Sequence, residues 1–279
     1  MRVGDLVLRT GEHETVLVPD PNRPHAFTLR VGRTDQSYVD LDDPTRLEFD
    51  YVQRIVDVVE SVFPAGERVG VVHVGGAALT IPRYLTHTRP RSAQVVLEPD
   101  GDLTELVRAH LPLPRRSGIK VRTTDGRTGV AALRDDYADL VVLDAFDGSR
   151  VPAELTTTTF LADVARVLRP GGLLVMNVTD RGPFDYARRV LAGVLATFGH
   201  VLFSAEPSTL KGRRFGNVVV AAADVSLPVE AIARRAGTAP YPYRVLHGAR
   251  LGQLVGGATP FTDADGALSP APPADLLFG

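Results

Sequence analysis

From Arg68 onward the chain repeats one pattern: a short apolar run, a few glycine or acidic residues, then a stretch with apolar positions three and four apart. Strands alternating with amphipathic helices make βαβ units, and such units build a mainly parallel sheet covered by helices. The pattern predicts strands at 69–73, 93–98, 120–122, 138–144, 172–178, 201–205 and 216–222, seven in all. Helices are predicted between them at 79–87, 103–111, 157–168 and 184–198.

Ahead of this block lie three short alternating runs, Leu6-Val7-Leu8, Thr15-Val16-Leu17-Val18 and Ala26-Phe27-Thr28-Leu29-Arg30-Val31, punctuated by turn residues. They predict a small β-hairpin domain over 1–43. Leu47, Tyr51, Ile55, Val58, Val59 and Val62 then recur at helical spacing behind Asp43-Pro44, and Pro64-Ala65-Gly66 ends that helix. Helical patterns at 228–236 and 245–255 complete a main domain over 44–260, and Ser269-Pro270-Ala271-Pro272-Pro273 reads as part of a loose Pro-rich tail over 261–279.

At 279 residues the chain suits one large domain with a small appendage. Net charge is −2, so no basic field exists to hold nucleic acid or an acidic membrane surface, and a small-molecule ligand is favoured. No window approaches the ~18 consecutive apolar residues of a spanning helix. The start, Met1-Arg2-Val3-Gly4-Asp5, lacks the apolar stretch of a signal peptide, and the chain reads as cytoplasmic. With no cysteine there is no disulfide or thiolate chemistry, and with no paired histidines no metal site is predicted.

In an open α/β sheet, ligands bind beyond the carboxyl ends of the strands, which makes the polar residues there the informative ones. The first strand of the block runs into Gly75-Gly76, where small residues admit a ligand to the backbone and a helix N-terminus offers free amides. A plain tight connection explains that turn equally well. Glu98 ends the second strand 22 residues after Gly76, near the offset at which an acidic side chain accepts from a ribose diol. Asp125-Gly126 follows the third strand, where a carboxylate can accept from an adenine amine or simply shape a turn. After the fourth strand, Asp144 and Asp147 stand three residues apart. They can divide the tasks of holding a cation and taking a proton, or can merely cap loop amides. His73, beside the glycines, reads as a hydrogen-bonded histidine at the edge of the core.

Together with Gln36-Ser37, Leu47-Glu48-Phe49-Asp50-Tyr51 and Leu168-Arg169-Pro170-Gly171-Gly172, these residues resemble the spermidine synthase family over about Val31 to Ala222. The resemblance implies an α/β class I methyltransferase-like Rossmann sheet of seven strands, the seventh antiparallel beside the fifth, behind a small N-terminal β domain. It implies transfer of an aminopropyl group from decarboxylated S-adenosylmethionine to an amine. Gly75, Gly76, Glu98, Asp125 and Gly126 would hold the nucleotide, Asp144 would accept the amine's proton, and Asp147, Tyr51 and Gln36 would meet the amine substrate. It also implies a homodimer. Where the family's glycine turn carries an aspartate this chain has Ala77, where the family has His-Glu after the tyrosine it has Val52-Gln53, and Thr209 stands near the place of a late tyrosine. These departures leave two alternatives: an S-adenosylmethionine-dependent methyltransferase acting on a small molecule, and a non-catalytic protein that binds an adenosyl nucleotide.

Overall fold

The computed structural model describes residues 6–10, 13–32 and 34–273. Strands β1 (Leu6–Thr10), β2 (His13–Asp20), β3 (Arg23–Val31) and β4 (Thr34–Asp40) form an antiparallel sheet in sequence order. Period-two alternation buries Leu17, Leu29 and Val39, which pack with Ala78 and Leu79 and with Val96, Leu103 and Leu106 of the main domain. The small sheet therefore lies beside the glycine turn, and β4 brings Gln36 to it.

The main domain starts with α1 (Asp50–Val62) and continues through β5 (Val71–Val74), α2 (Thr80–Thr88), β6 (Gln94–Leu97), α3 (Gly101–His110), β7 (Ile119–Arg122), α4 (Gly126–Ala131) and β8 (Ala138–Leu143). It ends with α5 (Thr158–Val167), β9 (Leu168–Asp180), α6 (Asp185–Thr197), β10 (His200–Ala205), α7 (Pro207–Leu210), β11 (Gly216–Ala223), α8 (Val229–Thr238), β12 (Arg244–His247) and α9 (Gly248–Val255). The strand order is β12-β10-β11-β9-β8-β5-β6-β7. Pairing is parallel from β9 through β8, β5 and β6 to β7, and β11 runs antiparallel between β9 and β10. The seventh strand of the block thus lies antiparallel beside the fifth, as expected.

Helices cover both faces of this sheet, so its central strands are buried on both sides and read as continuous apolar runs. In β8, Val141 and Leu143 enter the cluster that holds Phe160, Leu161 and Val190, while Leu140 and Val142 enter the cluster that holds Ile55, Val59 and Ile81. Among the described residues no helix is long and apolar enough to cross a membrane.

Two expectations need correction. The sheet has eight strands, because 245–255 is not wholly helical: Arg244–His247 pairs antiparallel with β10 before α9 begins at Gly248. The edge of β10 offers unpaired backbone groups to the segment beside it, and the apolar spacing of so short a stretch suits either structure. The Pro-rich tail is not loose through residue 273. Phe261 is buried against Tyr186, with the Arg189 guanidinium 4.0 Å from its ring centroid. Ser269 is fully buried: its Oγ accepts from Val151 N–H at 2.8 Å, its N–H donates to the Val151 carbonyl, and its carbonyl accepts from Arg150 Nε at 2.5 Å. Proline removes donors from such a segment but leaves it extended, so the few remaining polar groups can pair with the body. Phe261→Ala is expected to lower unfolding free energy by about 3–5 kcal/mol in a denaturant titration, the cost of emptying a buried aromatic site; an unchanged midpoint would refute the docking of this segment.

Candidate active site

The carboxyl ends of β5, β6 and β8 meet at the turn after β5. Gly75 has φ +95°, and a Cβ there would lie 2.3 Å from the Asp144 carbonyl oxygen, so a side chain is excluded by both conformation and space. Oε2 of Glu98 accepts from the Gly76 and Ala77 N–H groups at 2.9 and 3.2 Å, and Oε1 accepts from Asp100 N–H at 3.0 Å. Glu98 therefore braces the glycine turn as well as facing the cleft. An ionised carboxylate has about four acceptor sites, so Oε1 retains capacity for a ligand hydroxyl.

Asp144 stands just beyond β8, with its N–H donating to the Val74 carbonyl at 2.9 Å. Its Oδ1 accepts from Asn177 Nδ2 at 2.9 Å, and the Tyr51 hydroxyl donates to the same carboxylate. Burial outweighs both bonds and pushes Asp144 up to about 6, while burial and the neighbouring Asp144 charge raise Tyr51 well above its ordinary range. A carboxyl poised near neutrality beside two donors is suited to exchanging a proton with a ligand. Tyr51 reaches this position from the first turn of α1, with its ring stacked on Phe49.

These groups border a cleft of about 400 Å³. Gln36, Gly75, Gly76, Glu98, Asp125, Gly126, Asp144 and Asp147 all line it. Tyr51 lines a side chamber of about 40 Å³ that shares Gln36, Gly75, Gly76 and Asp144 with the cleft. Gln36 Nε2 donates to the Gly148 carbonyl at 2.7 Å, tying the small sheet to the loop after Asp144. Asp125 caps α4 by accepting from Thr128 N–H at 2.8 Å, a bond that lowers its pKa and leaves its other oxygen available. Gly126 cannot be larger, since a Cβ would meet Val74 Cγ1 at 2.3 Å. Asp147 is exposed on the rim, held by reciprocal backbone bonds with Arg150.

Of the three departures, Ala77 lines both spaces and Val52 the chamber, whereas Thr209 is buried outside both linings. His73 corrects the sequence reading in part. It is buried and bonded through Nε2 to Gln94 at 2.8 Å, but its Nδ1 has no partner among the described residues. Asn177 escaped the sequence reading altogether. Its signal was a lone amide inside the apolar run Leu173-Leu174-Val175-Met176-Asn177-Val178, where a buried polar group requires a partner. Asp100 and Glu154 also face the cleft and were not singled out for binding.

An open sheet in this order, a glycine turn after its first parallel strand and an acid at the end of the next define a class I methyltransferase-type α/β domain. No family model matches the chain. It is 26% identical over 209 residues to the polyamine aminopropyltransferase of Vibrio vulnificus, an alignment covering 73% of this chain and 66% of that protein. It is 26% identical over 152 residues to the enzyme of the same name from Chromobacterium violaceum, covering 54% of this chain and 57% of that one. The chain thus spans less than two thirds of the length of these curated relatives. The crystal structure of a probable spermidine synthase from Corynebacterium glutamicum superposes with a TM-score of 0.86 at 27% identity, covering 96% of this chain and 99% of that one. The chain belongs to the spermidine synthase family.

A carboxyl whose pKa is raised by folding is harder to ionise in the folded than in the unfolded chain. Asp144 therefore withdraws stability as pH rises from its ordinary 3.8 through about 6. Asp144→Asn, which keeps the shape without the charge, is expected to be more stable than the wild type at pH 8 and to lose that advantage near pH 4. Denaturant titrations at both pH values check this, and an equal difference at the two would contradict the raised pKa.

Proposed function

We propose that this cleft transfers an aminopropyl group from decarboxylated S-adenosylmethionine to a small amine. The observation that carries the proposal is the charge of the wall: Glu98, Asp100, Asp125, Asp144, Asp147 and Glu154 line the cleft, and none of the described residues there is basic. Such a wall favours cations and opposes phosphates and free carboxylates. The decarboxylated sulfonium and its acceptor amine are both cationic, whereas intact S-adenosylmethionine would bring a carboxylate among these acids with no basic side chain to receive it. That contrast disfavours the methyl-transfer reading despite Ala77.

In this reading Glu98 accepts from the ribose hydroxyls, Asp125 from the adenine amine, and Gly75 and Gly76 admit the nucleotide close to the backbone. The sulfonium supplies a good leaving group. Asp144 supplies the proton acceptor: as the amine lone pair forms the new C–N bond, the C–S pair departs onto sulfur and the amine proton passes to the carboxylate. Tyr51 and Asn177 hold that carboxylate in place, and alignment in the cleft contributes most of the acceleration. Asp147 on the rim and the amide of Gln36 attract and orient the incoming amine. The same reading carries the family expectation of a cytoplasmic homodimer.

Calorimetry with S-adenosylmethionine, its decarboxylated form and methylthioadenosine, followed by mass analysis of amine products, tests the assignment. Tighter binding of the decarboxylated form and a product heavier by an aminopropyl group are expected; a product gaining only a methyl group would overturn it. Asp144→Asn is expected to abolish turnover while leaving methylthioadenosine affinity within several-fold. In the wild type, kcat at saturating amine is expected to fall as pH drops through about 6, because a protonated carboxyl cannot receive a proton. A rate that is flat through that range would remove Asp144 from the transfer step. Glu98→Gln is expected to weaken methylthioadenosine binding by about 1–3 kcal/mol, the scale of a lost charge-assisted hydrogen bond. An unaltered dissociation constant would restrict Glu98 to bracing the turn.

A further inference from the structure

The side chamber differs from the cleft in composition. Val52, Ile81, Pro82 and Val142 form much of its wall, and Asp144, shared with the cleft, is its single carboxylate among the described residues. His73 belongs to the same wall and is only 1% exposed.

The protonation of His73 follows from its neighbours. Gln94 Nε2 donates to the Pro82 carbonyl and to Thr86 Oγ1, both at 3.0 Å, which leaves Gln94 Oε1 as the acceptor facing His73 Nε2 at 2.8 Å. Nε2 therefore carries the hydrogen. Burial pushes the imidazole down to about 4, so the ring is neutral, and Nδ1 presents a lone pair with no donor among the described residues. A buried acceptor left without a donor costs about 1–3 kcal/mol, which a ligand able to donate would recover. Space limits that ligand: about 40 Å³, at ~10–15 Å³ for each water-sized position, holds roughly three heavy atoms.

Aminopropyl transfer offers three groups for this space. The ammonium of the transferred arm and the far ammonium of a diamine are both cations, and burying either against apolar walls and a neutral imidazole is costly. Asp144 cannot offset that cost while it receives the proton of the reacting amine. The carboxylates of the main cleft suit those cations better. What remains is a neutral end. Resting on the aminopropyl-transfer reading, we infer that the chamber receives the non-reacting end of the acceptor, that this end is a hydroxyl donating to Nδ1 of His73, and that the acceptor is a short amino alcohol rather than a diamine. The hydroxyl takes no part in the chemistry: the amine nitrogen gains the aminopropyl carbon, sulfur leaves with its electron pair, and the product is a hydroxyalkyl secondary amine.

The test offers the wild-type protein decarboxylated S-adenosylmethionine with one of three amines of equal carbon count: propanolamine with a terminal hydroxyl, trimethylenediamine or propylamine. Products are quantified by mass. The kcat/KM for propanolamine is expected to exceed both others by about tenfold or more, as for a site built around a substrate hydroxyl. In His73→Leu the ratio of propanolamine to propylamine is expected to fall to about one. Because a buried substitution can impair folding, nitrogen NMR of the wild type saturated with methylthioadenosine provides a second readout. Propanolamine is expected to shift the His73 Nδ1 resonance, and trimethylenediamine to leave it in place. A preference for the diamine, or an Nδ1 resonance that propanolamine does not move, overturns this inference while leaving aminopropyl transfer intact. Transfer to none of the three amines, with no binding of methylthioadenosine, instead defeats the underlying assignment of function, and the Nδ1 readout still decides on the chamber.

Discussion

The carboxylate of Glu98 holds the site in shape. It accepts three backbone N–H groups, from Gly76, Ala77 and Asp100, and so fixes the end of β6 against the turn between β5 and α2. That turn includes Ala77 and Leu79 at positive φ, conformations that cost energy for residues with a Cβ and persist where surrounding bonds enforce them. With the turn held, Gly75 lies close against the Asp144 backbone, and the ends of β5 and β8 meet without an intervening side chain. The nucleotide-facing and proton-accepting parts of the site are thus mechanically one unit. A carboxylate that also braces the backbone reaches a ligand without reorganising, and this preorganisation favours binding.

Asp144 lies at the junction of two unlike environments. On one side is a cleft with six carboxylates in its wall, which gathers positive charge; on the other is a small, mostly apolar chamber with a neutral histidine. The same burial that raises Asp144 to about 6 lowers His73 to about 4, because desolvation penalises whichever form is charged. One group becomes a usable proton acceptor near neutrality, and the other becomes a permanent hydrogen-bond acceptor. Asn177, recessed in β9, donates to Asp144 and offers no charge of its own, so it orients the carboxylate without lowering its pKa as far as a cation would.

Much of this was legible in the amino-acid order. Strand runs such as Ala138–Leu143 are apolar at nearly every position because both faces are covered, and that continuity marks a parallel sheet before any coordinate is known. Ligand-facing residues follow from the same logic, since glycines and acids clustered where strands end have no packing role that would require them there. Val245 and Leu246 were not legible as a strand: their spacing suits a helix, and only the open edge of β10 made pairing the better outcome. Ser269, in a Pro-rich stretch, was not legible as buried, because its partners Val151 and Arg150 are more than a hundred residues away in the chain.

The sequence by itself determined the α/β class, the antiparallel seventh strand and the set Gln36, Tyr51, Gly75, Gly76, Glu98, Asp125, Gly126, Asp144 and Asp147 that borders one connected cavity. Those properties reside in local periodicity and in the ends of strands, which a linear reading can reach. Tertiary structure alone decided that the cavity divides into a charged cleft and a neutral chamber, that Asn177 and Tyr51 converge on Asp144, and that His73 keeps one nitrogen unpaired. Each depends on how far burial removes water from a particular side chain. Burial is set by residues distant in the chain, so the pKa values and unmet hydrogen bonds that govern the chemistry emerge only when the chain is packed.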